Sequence, residues 1–345
     1  MTKNISFLGI DIGGAHIKIV GLDKYKNVSL VEYRKCYLWQ DPEKLKKEIQ
    51  FINSLSEKNK ILCGITMTAE LCDIFSNRIE GAKKIQKECK KIKFKKFFYS
   101  KSDNLFENIN ENKFTNFISM NWHAIGRYMS KHIREGIIID FGSTTTDFVL
   151  IKGGQVINNS FSDYRRLGTG ELVYTGIIRT PIFAIMNSIN INTHKYKIIP
   201  EYFSNMSDIY RIHKKIKKNF DVDDETDSSD KSIISSYHRI SRSFGFDFNK
   251  KYKKLIYRLT EEIMNKQLKI IYENATKLFK KYNLNKNSPI ILSGIGQNIL
   301  MKSFKSYNVI LFENFIKSKT NALRKSATYH APAVSIACLL DDMIE

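Results

Sequence analysis

One pattern of apolar and polar positions occurs twice in the chain. Near the start, an apolar run leads to Asp11, a turn at Gly13-Gly14 and a second run in which apolar and polar positions alternate. Later, an isoleucine-rich run leads to Asp140, a turn that begins at Gly142 and another such second run. Short alternating runs on either side of a glycine turn predict a β-hairpin. The two aspartates lie about one domain's length apart, so the sequence predicts two related halves that each open with a hairpin.

A third apolar strand and a final helix follow these hairpins. Residues 289–292 form a short apolar run, followed by Gly294-Ile295-Gly296 and a helix-like segment. A tight turn into the amino end of a helix is a place where a nucleotide or another anionic ligand can bind. The stretch 331–345 has a proline in its first turn and small residues after it, which predicts a closely packed helix.

The two hairpin turns contain the residue types of a phosphate site. Glycine lets the backbone approach a ligand closely and point successive N–H groups at an anion. Serine and threonine hydroxyls add donors, and an aspartate at the strand end suits a hydrated Mg²⁺ that bridges carboxylate and phosphate oxygens. One such hairpin is common, whereas two with the same layout indicate a function. The candidate anion-binding residues are Gly13, Gly14, Gly142, Ser143, Thr144 and Thr145.

Composition places the chain among folded proteins. Its 345 residues, 42% hydrophobic and 26% charged, fit two domains or one large α/β body and exclude a disordered or collagen-like protein. No apolar run approaches the roughly 18 residues of a membrane span, and the amino terminus leads into a strand-like run without a signal peptide. Five scattered cysteines fit reduced thiols, and no zinc-binding spacing is present. We therefore expect a cytoplasmic protein with no membrane partner.

The formal charge of +21 makes a nucleic-acid partner the first alternative to consider. Of the 56 basic residues, 44 are Lys and 12 are Arg, and the lysines are spread along the chain. Proteins that read a nucleic-acid sequence rely on Arg for its bidentate fork. The one dense cluster, residues 83–96, is interpreted as a solvated helix face. A nucleic-acid partner is therefore not expected. The sequence leaves the oligomeric state open.

Four blocks carry a resemblance to a known family. They are Asp11–Lys18 (DIGGAHIK), Thr66–Leu71 (TMTAEL), Asp140–Asp147 (DFGSTTTD) and Thr169–Gly176 (TGELVYTG) with its following RTP. The order of the two hairpins, the later glycine turn and the closing helix resembles the actin-like superfamily. Within it, the chain closely resembles the methanofuran- and methylofuran-biosynthesis synthases of the hydantoinase/oxoprolinase-like branch. This resemblance implies an α/β, actin-like, two-lobed fold built from two RNase H-like domains with a cleft between them.

The resemblance also implies domain limits. Residues 1–134 form the expected first lobe, and residues 135–345 form the second, with a helical insertion at about 183–288. The carboxy-terminal helix 331–345 is expected to pack back on the first lobe. The acidic segment 221–230 is interpreted as a solvated surface loop or, alternatively, as one that attracts Mg²⁺.

Synthases of this family join a phenol to a furan. The phenol oxygen of a glutamylated tyramine or tyrosine displaces diphosphate from an aminomethyl-furanmethanol diphosphate, so both expected partners are small-molecule substrates. The resemblance implies that Asp11 and Asp140 hold a Mg²⁺ cofactor and that the two turns bind diphosphate. Further substrate-binding candidates are His16, Lys18, Arg166, Arg179, Gly294 and Gly296.

A base near the acceptor phenol would assist the reaction, since a free phenol has a pKa near 10. The candidates are Glu171, Asp147, Glu70 and His16, and the sequence leaves the choice open. It also leaves an alternative reaction open, because the same hairpins occur in ATP-dependent phosphotransferases and ATP-driven hydrolases of this fold. In that case the Gly294-Ile295-Gly296 turn would hold the adenosine.

Overall fold

The computed structural model describes residues 4–41, 43–55, 60–102, 105–107 and 111–343. The first three residues, and the last two of the predicted helix 331–345, lie outside the described residues. The strands are β1 (Phe7–Ile12), β2 (His16–Leu22), β3 (Val28–Lys35), β4 (Leu62–Met67), β5 (Lys95–Tyr99), β6 (Phe106–Glu107), β7 (Gly136–Phe141), β8 (Thr146–Lys152), β9 (Gln155–Val156), β10 (Leu172–Val173), β11 (Ser188–Ile191), β12 (His194–Lys197), β13 (Ile290–Ser293) and β14 (Val309–Leu311).

The α-helices connect and cover these strands. They are α1 (Lys44–Ser54), α2 (Arg78–Cys89), α3 (Asn121–Met129), α4 (Asp163–Thr169), α5 (Met206–Ile212), α6 (Ile233–Ser243), α7 (Lys253–Lys281), α8 (Gln297–Leu300), α9 (Asn321–Ala327) and α10 (Ala331–Asp342). Of the helices that the structure describes, none has both the length and the apolar composition that a membrane-spanning segment requires.

The first sheet has the strand order β3-β2-β1-β4-β5-β6. β1 pairs antiparallel with β2 and parallel with β4. Because side chains alternate along a strand, Leu8, Ile10 and Ile12 share one face and join the core that α1 and α2 cover. Gly9 faces the opposite side, where α10 packs. The sheet is thus buried on both faces, and the hairpin β1–β2 lies in its middle.

The second sheet repeats this plan with the order β10-β8-β7-β13-β14. β7 pairs antiparallel with β8 and parallel with β13. Ile137, Ile139 and Phe141 join the core shared with the long helix α7. In each half, the first strand of the hairpin pairs antiparallel with the second on one side and with a parallel strand on the other. The predicted α/β, actin-like fold of two RNase H-like lobes is confirmed.

The segment between β10 and β13 is mainly helical. It contains the small β11–β12 hairpin and the helices α5, α6 and α7. α7 is 29 residues long and buries Ile256, Ile263 and Ile271 along one side. These residues belong to the same core as β7, so the insertion packs against the second sheet.

Helices α3 and α10 lie between the two sheets. α10 contacts β1, β2 and β4, whereas α3 contacts β8 and β9, and the two helices contact each other. Their apolar side chains form one cluster with residues from both sheets, among them Val20, Ile138 and Ile336. The packing of these helices does not follow their order in the chain. α3 precedes residue 135 but packs on the second sheet, whereas α10 follows the second sheet in the chain but packs on the first.

Close contact between α10 and the first sheet depends on Gly9. A Cβ at this position would lie 1.9 Å from the carbonyl oxygen of Ala333 and 2.7 Å from the amide nitrogen of Ala337. We expect Gly9→Ala to lower the free energy of unfolding by about 3 kcal/mol, because backbone on both sides has to move. Urea unfolding of Gly168→Ala is the matched control, since no atom lies within 4 Å of the Cβ position there. Equal midpoints for the two variants would contradict this account.

Candidate active site

The two predicted glycine turns line the same cavity. This cavity has a volume of about 590 Å³ and is lined by residues of both lobes. The first turn closes with a hydrogen bond from Gly13 N to His16 O, and the second with one from Gly142 N to Thr145 O, both 2.9 Å long. The structure thus brings two turns of matched geometry to one space. All six candidate anion-binding residues line it, namely Gly13, Gly14, Gly142, Ser143, Thr144 and Thr145.

A buried cation accompanies the first turn. Asp11 pairs in register with Lys18 across the hairpin, and Lys18 Nζ lies 3.1 Å from Asp11 Oδ2. Burial lowers the pKa of Lys18, but the carboxylates of Asp11, Asp140 and Asp147 outweigh it, so the pKa is raised above its ordinary value. Lys18 lines the cavity as a charged ammonium, while Asp11 is not among the lining residues. Asp11 Oδ1 is buried and has no hydrogen-bond partner among the described residues.

The second turn begins beside Asp140, which is buried and lines the cavity. The hydroxyl of Ser293 donates a 2.8 Å hydrogen bond to Asp140 Oδ1. Burial raises the pKa of Asp140 to about 6, with nearby Lys18 opposing the shift and Asp147 adding to it. Asp140 therefore changes its charge close to neutral pH, as catalytic carboxylates often do.

Asp147 faces Asp140 across the second hairpin and is held by Arg166. Arg166 Nη1 lies 2.9 Å from Asp147 Oδ1, and Nη2 donates a 3.0 Å hydrogen bond to the carbonyl oxygen of Glu171. The guanidinium stacks 4.2 Å from the ring centre of Trp122. Arg166 was predicted to bind substrate carboxylates, but its Nη1 and Nη2 already contact Asp147 and the Glu171 backbone, and only Nε has no partner among the described residues. It lines the cavity as part of the scaffold.

Besides Asp11, three predicted site residues do not line the cavity: Glu171, Gly294 and Gly296. Glu171 is fully buried, and its Oε1 accepts a 2.7 Å hydrogen bond from Tyr282 Oη. A Cβ on Gly294 would lie 2.5 Å from the carbonyl oxygen of Phe141, and one on Gly296 would lie 2.0 Å from the Phe141 ring. Close packing beneath the second hairpin requires both glycines. The expectation that these residues contact a ligand is therefore corrected.

Part of the acidic segment 221–230 lies against the first hairpin. Asp223 Oδ1 lies 2.7 Å from His16 Nε2 and 3.2 Å from Tyr37 Oη. Asp223 is buried, yet its pKa is lowered, because the contacts with His16, the positive charge of Arg179 and the Tyr37 hydroxyl outweigh the cost of burial. Sequence reasoning named His16 but missed its partner, which lies more than 200 positions away in the chain.

The rest of the acidic segment is held by buried arginines. Arg211 binds Asp221 and Glu225, at 2.8 and 2.7 Å, and Arg239 binds Asp208 at 2.7 Å and Glu225 at 3.1 Å. A solvated loop was expected here, and the structure corrects this for Asp221, Asp223 and Glu225, whereas Asp224 is exposed. The arginines compensate the cost of burying so many carboxylates. Their positions on either side of the acidic run were the available signal in the sequence.

Arg179 lines the cavity and forms no ion pair with any residue that the structure describes. It is therefore free to bind an anionic ligand.

Side chains alone do not form a metal site here, since no three His, Cys, Asp or Glu residues within the described ranges are grouped to hold an ion. Mg²⁺ is usually bound by one or two carboxylates and by phosphate oxygens, so the donors here fit an ion that arrives with a phosphate ligand.

Two RNase H-like lobes whose glycine hairpins line one cavity define an actin-like fold. Acetone carboxylase in its nucleotide-free form has a similar fold, with a TM-score of 0.56 and 9% identity over 96% of this chain and 70% of that one. Residues 63–312 match the family model for hydantoinase/oxoprolinase. The chain belongs to this family.

Two archaeal relatives are named for a specific product. The protein from Methanocaldococcus jannaschii is 28% identical over 99% of both chains, and the one from Methanococcus vannielii is 29% identical over 62% of this chain and 94% of its own. Both are called (4-{4-[2-(gamma-L-glutamylamino)ethyl]phenoxymethyl}furan-2-yl)methanamine synthase. The resemblance inferred from the four sequence blocks is confirmed.

Proposed function

We propose that this protein is a transferase of methanofuran or methylofuran biosynthesis that forms an aryl ether. Its substrates are an aminomethyl-furanmethanol diphosphate and a γ-glutamylated tyramine. The observation that carries the proposal is the meeting of both glycine turns in one cavity, in a chain similar over 99% of its length to a synthase named for this ether. The cavity volume of about 590 Å³ is in the range of small-molecule sites.

The residues of the two glycine turns and Lys18 form what we call the floor of the cavity, and they bind the diphosphate leaving group. Backbone N–H groups of the two turns, the hydroxyls of Ser143 to Thr145 and the ammonium of Lys18 surround the diphosphate. The phenol oxygen attacks the furanyl CH₂ carbon, the bond from this carbon to the diphosphate oxygen breaks, and its electron pair leaves with the diphosphate. Donors fixed in place before the reaction stabilise this developing charge without reorganisation.

Mg²⁺ is the cofactor that these residues fit. The unpaired Asp11 Oδ1 and the carboxylate of Asp140 are oxygen donors of the kind that Mg²⁺ prefers, with the diphosphate completing the set. When bound, the ion would neutralise negative charge on the departing diphosphate.

His16 is the best-placed base for the phenol proton. Glu171 and Glu70 do not line the cavity, although burial raises the pKa of Glu70 to about 7, and Asp147 is ion-paired with Arg166. His16 lines the cavity. The nearby Asp223 favours the tautomer with its proton on Nε2, which leaves Nδ1 as the proton acceptor.

The nucleotide alternative is less supported because its adenosine turn, at Gly294 and Gly296, packs against Phe141 and does not line the cavity. The deciding experiment incubates the protein with furan diphosphate, γ-glutamyl tyramine and Mg²⁺. We expect the mass of the ether and one equivalent of diphosphate.

A ligand-stability comparison provides the control for this assay. Mg²⁺ with inorganic diphosphate at 100 times its Kd should stabilise the fold by about 2.7 kcal/mol. Strong stabilisation by Mg²⁺–ATP, with none by Mg²⁺–diphosphate, would overturn the proposal.

A further inference from the structure

Four of the exposed residues that line the cavity are apolar or aromatic, and a fifth, Asp73, is acidic. Trp39 and Leu71 reach the mouth of the cavity from the first lobe, and Tyr174 and Tyr202 from the second. These four residues, which we call the rim, are 37%, 43%, 63% and 53% exposed, respectively. Single exposed apolar residues are normal on protein surfaces, but a group that meets at one cavity indicates a binding site.

Backbone contacts place the rim directly beside the two turns. Leu38 N donates a 2.9 Å hydrogen bond to the carbonyl oxygen of Gly14, which fixes the neighbouring Trp39 next to the first turn. A Cβ on Gly176 would lie 2.4 Å from Thr144 N, which shows how closely the segment after Tyr174 packs on the second turn. The rim therefore lies at the edge of the proposed diphosphate site.

We propose that the rim binds the aromatic ring of the phenolic acceptor. This inference rests on the proposed function. The furan is attached to the diphosphate through one CH₂ group, so diphosphate on the floor keeps the furan close to the turns. The acceptor has to approach that carbon from the side opposite the leaving group, which is the mouth. Aromatic rings at the mouth provide the flat apolar surface that a phenol ring can stack on.

The charge beside the rim fits the remainder of the acceptor. Arg179 lines the same cavity and has no ion-pair partner among the residues described. A guanidinium recognises carboxylates through paired hydrogen bonds, and the glutamyl group of the acceptor carries carboxylate. An aromatic ring and a carboxylate on one flexible molecule therefore match the rim and Arg179.

Steady-state kinetics with each substrate varied in turn test the proposal. We expect Trp39→Ala and Tyr174→Ala each to raise KM for γ-glutamyl tyramine about tenfold, or about 1.4 kcal/mol, while KM for the furan diphosphate stays within about twofold. Trp39→Phe and Tyr174→Phe, which retain a ring, should keep most of the affinity. Tyr25→Ala is the matched control, because Tyr25 is 66% exposed and does not line the cavity. A rise in KM for the furan diphosphate instead would overturn the assignment.

Fluorescence separates this inference from the proposed function. The chain has two tryptophans, and Trp122 is buried, so Trp39 is the one that reports on the mouth. γ-Glutamyl tyramine alone should change the emission of the wild type but not that of Trp39→Phe. If the wild type binds this acceptor at Trp39 yet forms no ether, the proposed reaction fails and the rim stands. If no binding is detected, or if Trp39→Phe retains the full response, the rim proposal fails.

Discussion

Asp140→Asn should reduce the rate of diphosphate release by about a thousandfold while the protein remains folded. Asp140 is the last residue but one of β7, and its carboxylate lines the cavity near Lys18 and the proposed diphosphate. Asparagine has the same shape and can still accept the hydrogen bond of Ser293, so the packing beneath the turn should survive. What it loses is the negative charge that would hold Mg²⁺.

The same variant, although less active, should be more stable than the wild type at high pH. Burial raises the pKa of Asp140 from 3.8 to about 6 in the folded protein. Because the pKa of Asp140 is higher in the folded than in the unfolded state, the wild type is most stable below about pH 4. Its free energy of unfolding falls as the pH rises through about 6. Asparagine does not ionise. Thermal unfolding should therefore show equal stability at pH 4 and a more stable variant at pH 8.

Asp247→Asn provides the control, because Asp247 is exposed and lies outside the cavity. Its turnover and its pH–stability profile should match those of the wild type. Near-normal diphosphate release by Asp140→Asn would remove Asp140 from the mechanism. A variant that is inactive but less stable at every pH would instead indicate a structural defect.

The sequence predicts the hairpins well because their information is local. Alternating residues, an aspartate at the strand end and glycines at the turn determine each hairpin within about 15 positions. Two copies of one layout also predict two similar lobes. The cleft between the lobes does not follow from such local patterns, because it depends on how α3 and α10 pack between the sheets.

The roles of single polar residues are harder to predict, because a motif does not show what lies beneath it. Glu171 and Arg166 lie five positions apart in the sequence, yet one is buried against Tyr282 and the other pairs with Asp147. Gly294 and Gly296 look like a ligand turn, but a single ring, Phe141, occupies the space. Such contacts join residues more than 100 positions apart, or depend on which face of a strand is covered.

The acidic segment shows the same limit for charge patterns. Ten residues that include six carboxylates are typical of a solvated loop when read alone. Arg211, in α5, and Arg239, in α6, convert part of the segment into a buried network. Through Asp223, the network also reaches His16 at the cavity. The buried network that supports the fold is therefore in contact with the proposed base.

Arg239→Met should lower the free energy of unfolding by about 3–5 kcal/mol. Arg239 is fully buried, and its guanidinium lies 2.7 Å from Asp208, 3.1 Å from Glu225 and 3.1 Å from Asp227. Removing it leaves the buried carboxylates of Asp208 and Glu225 with Arg211 as their one remaining arginine among the described residues, and this loss of buried counter-charge costs more than the loss of a surface ion pair. Urea unfolding at pH 7 measures the effect.

Arg242→Met is the matched control for this prediction. Arg242 lies on the same helix and also binds Asp227, at 3.2 Å, but it is 53% exposed. Water screens an exposed pair, so its removal should cost less than about 1 kcal/mol. Because Asp223 belongs to the segment that Arg239 holds, Arg239→Met should also slow ether formation, whereas Arg242→Met should not. Equal losses of stability in the two variants would mean that burial of the network does not determine its strength, and the acidic segment would then be a surface loop after all.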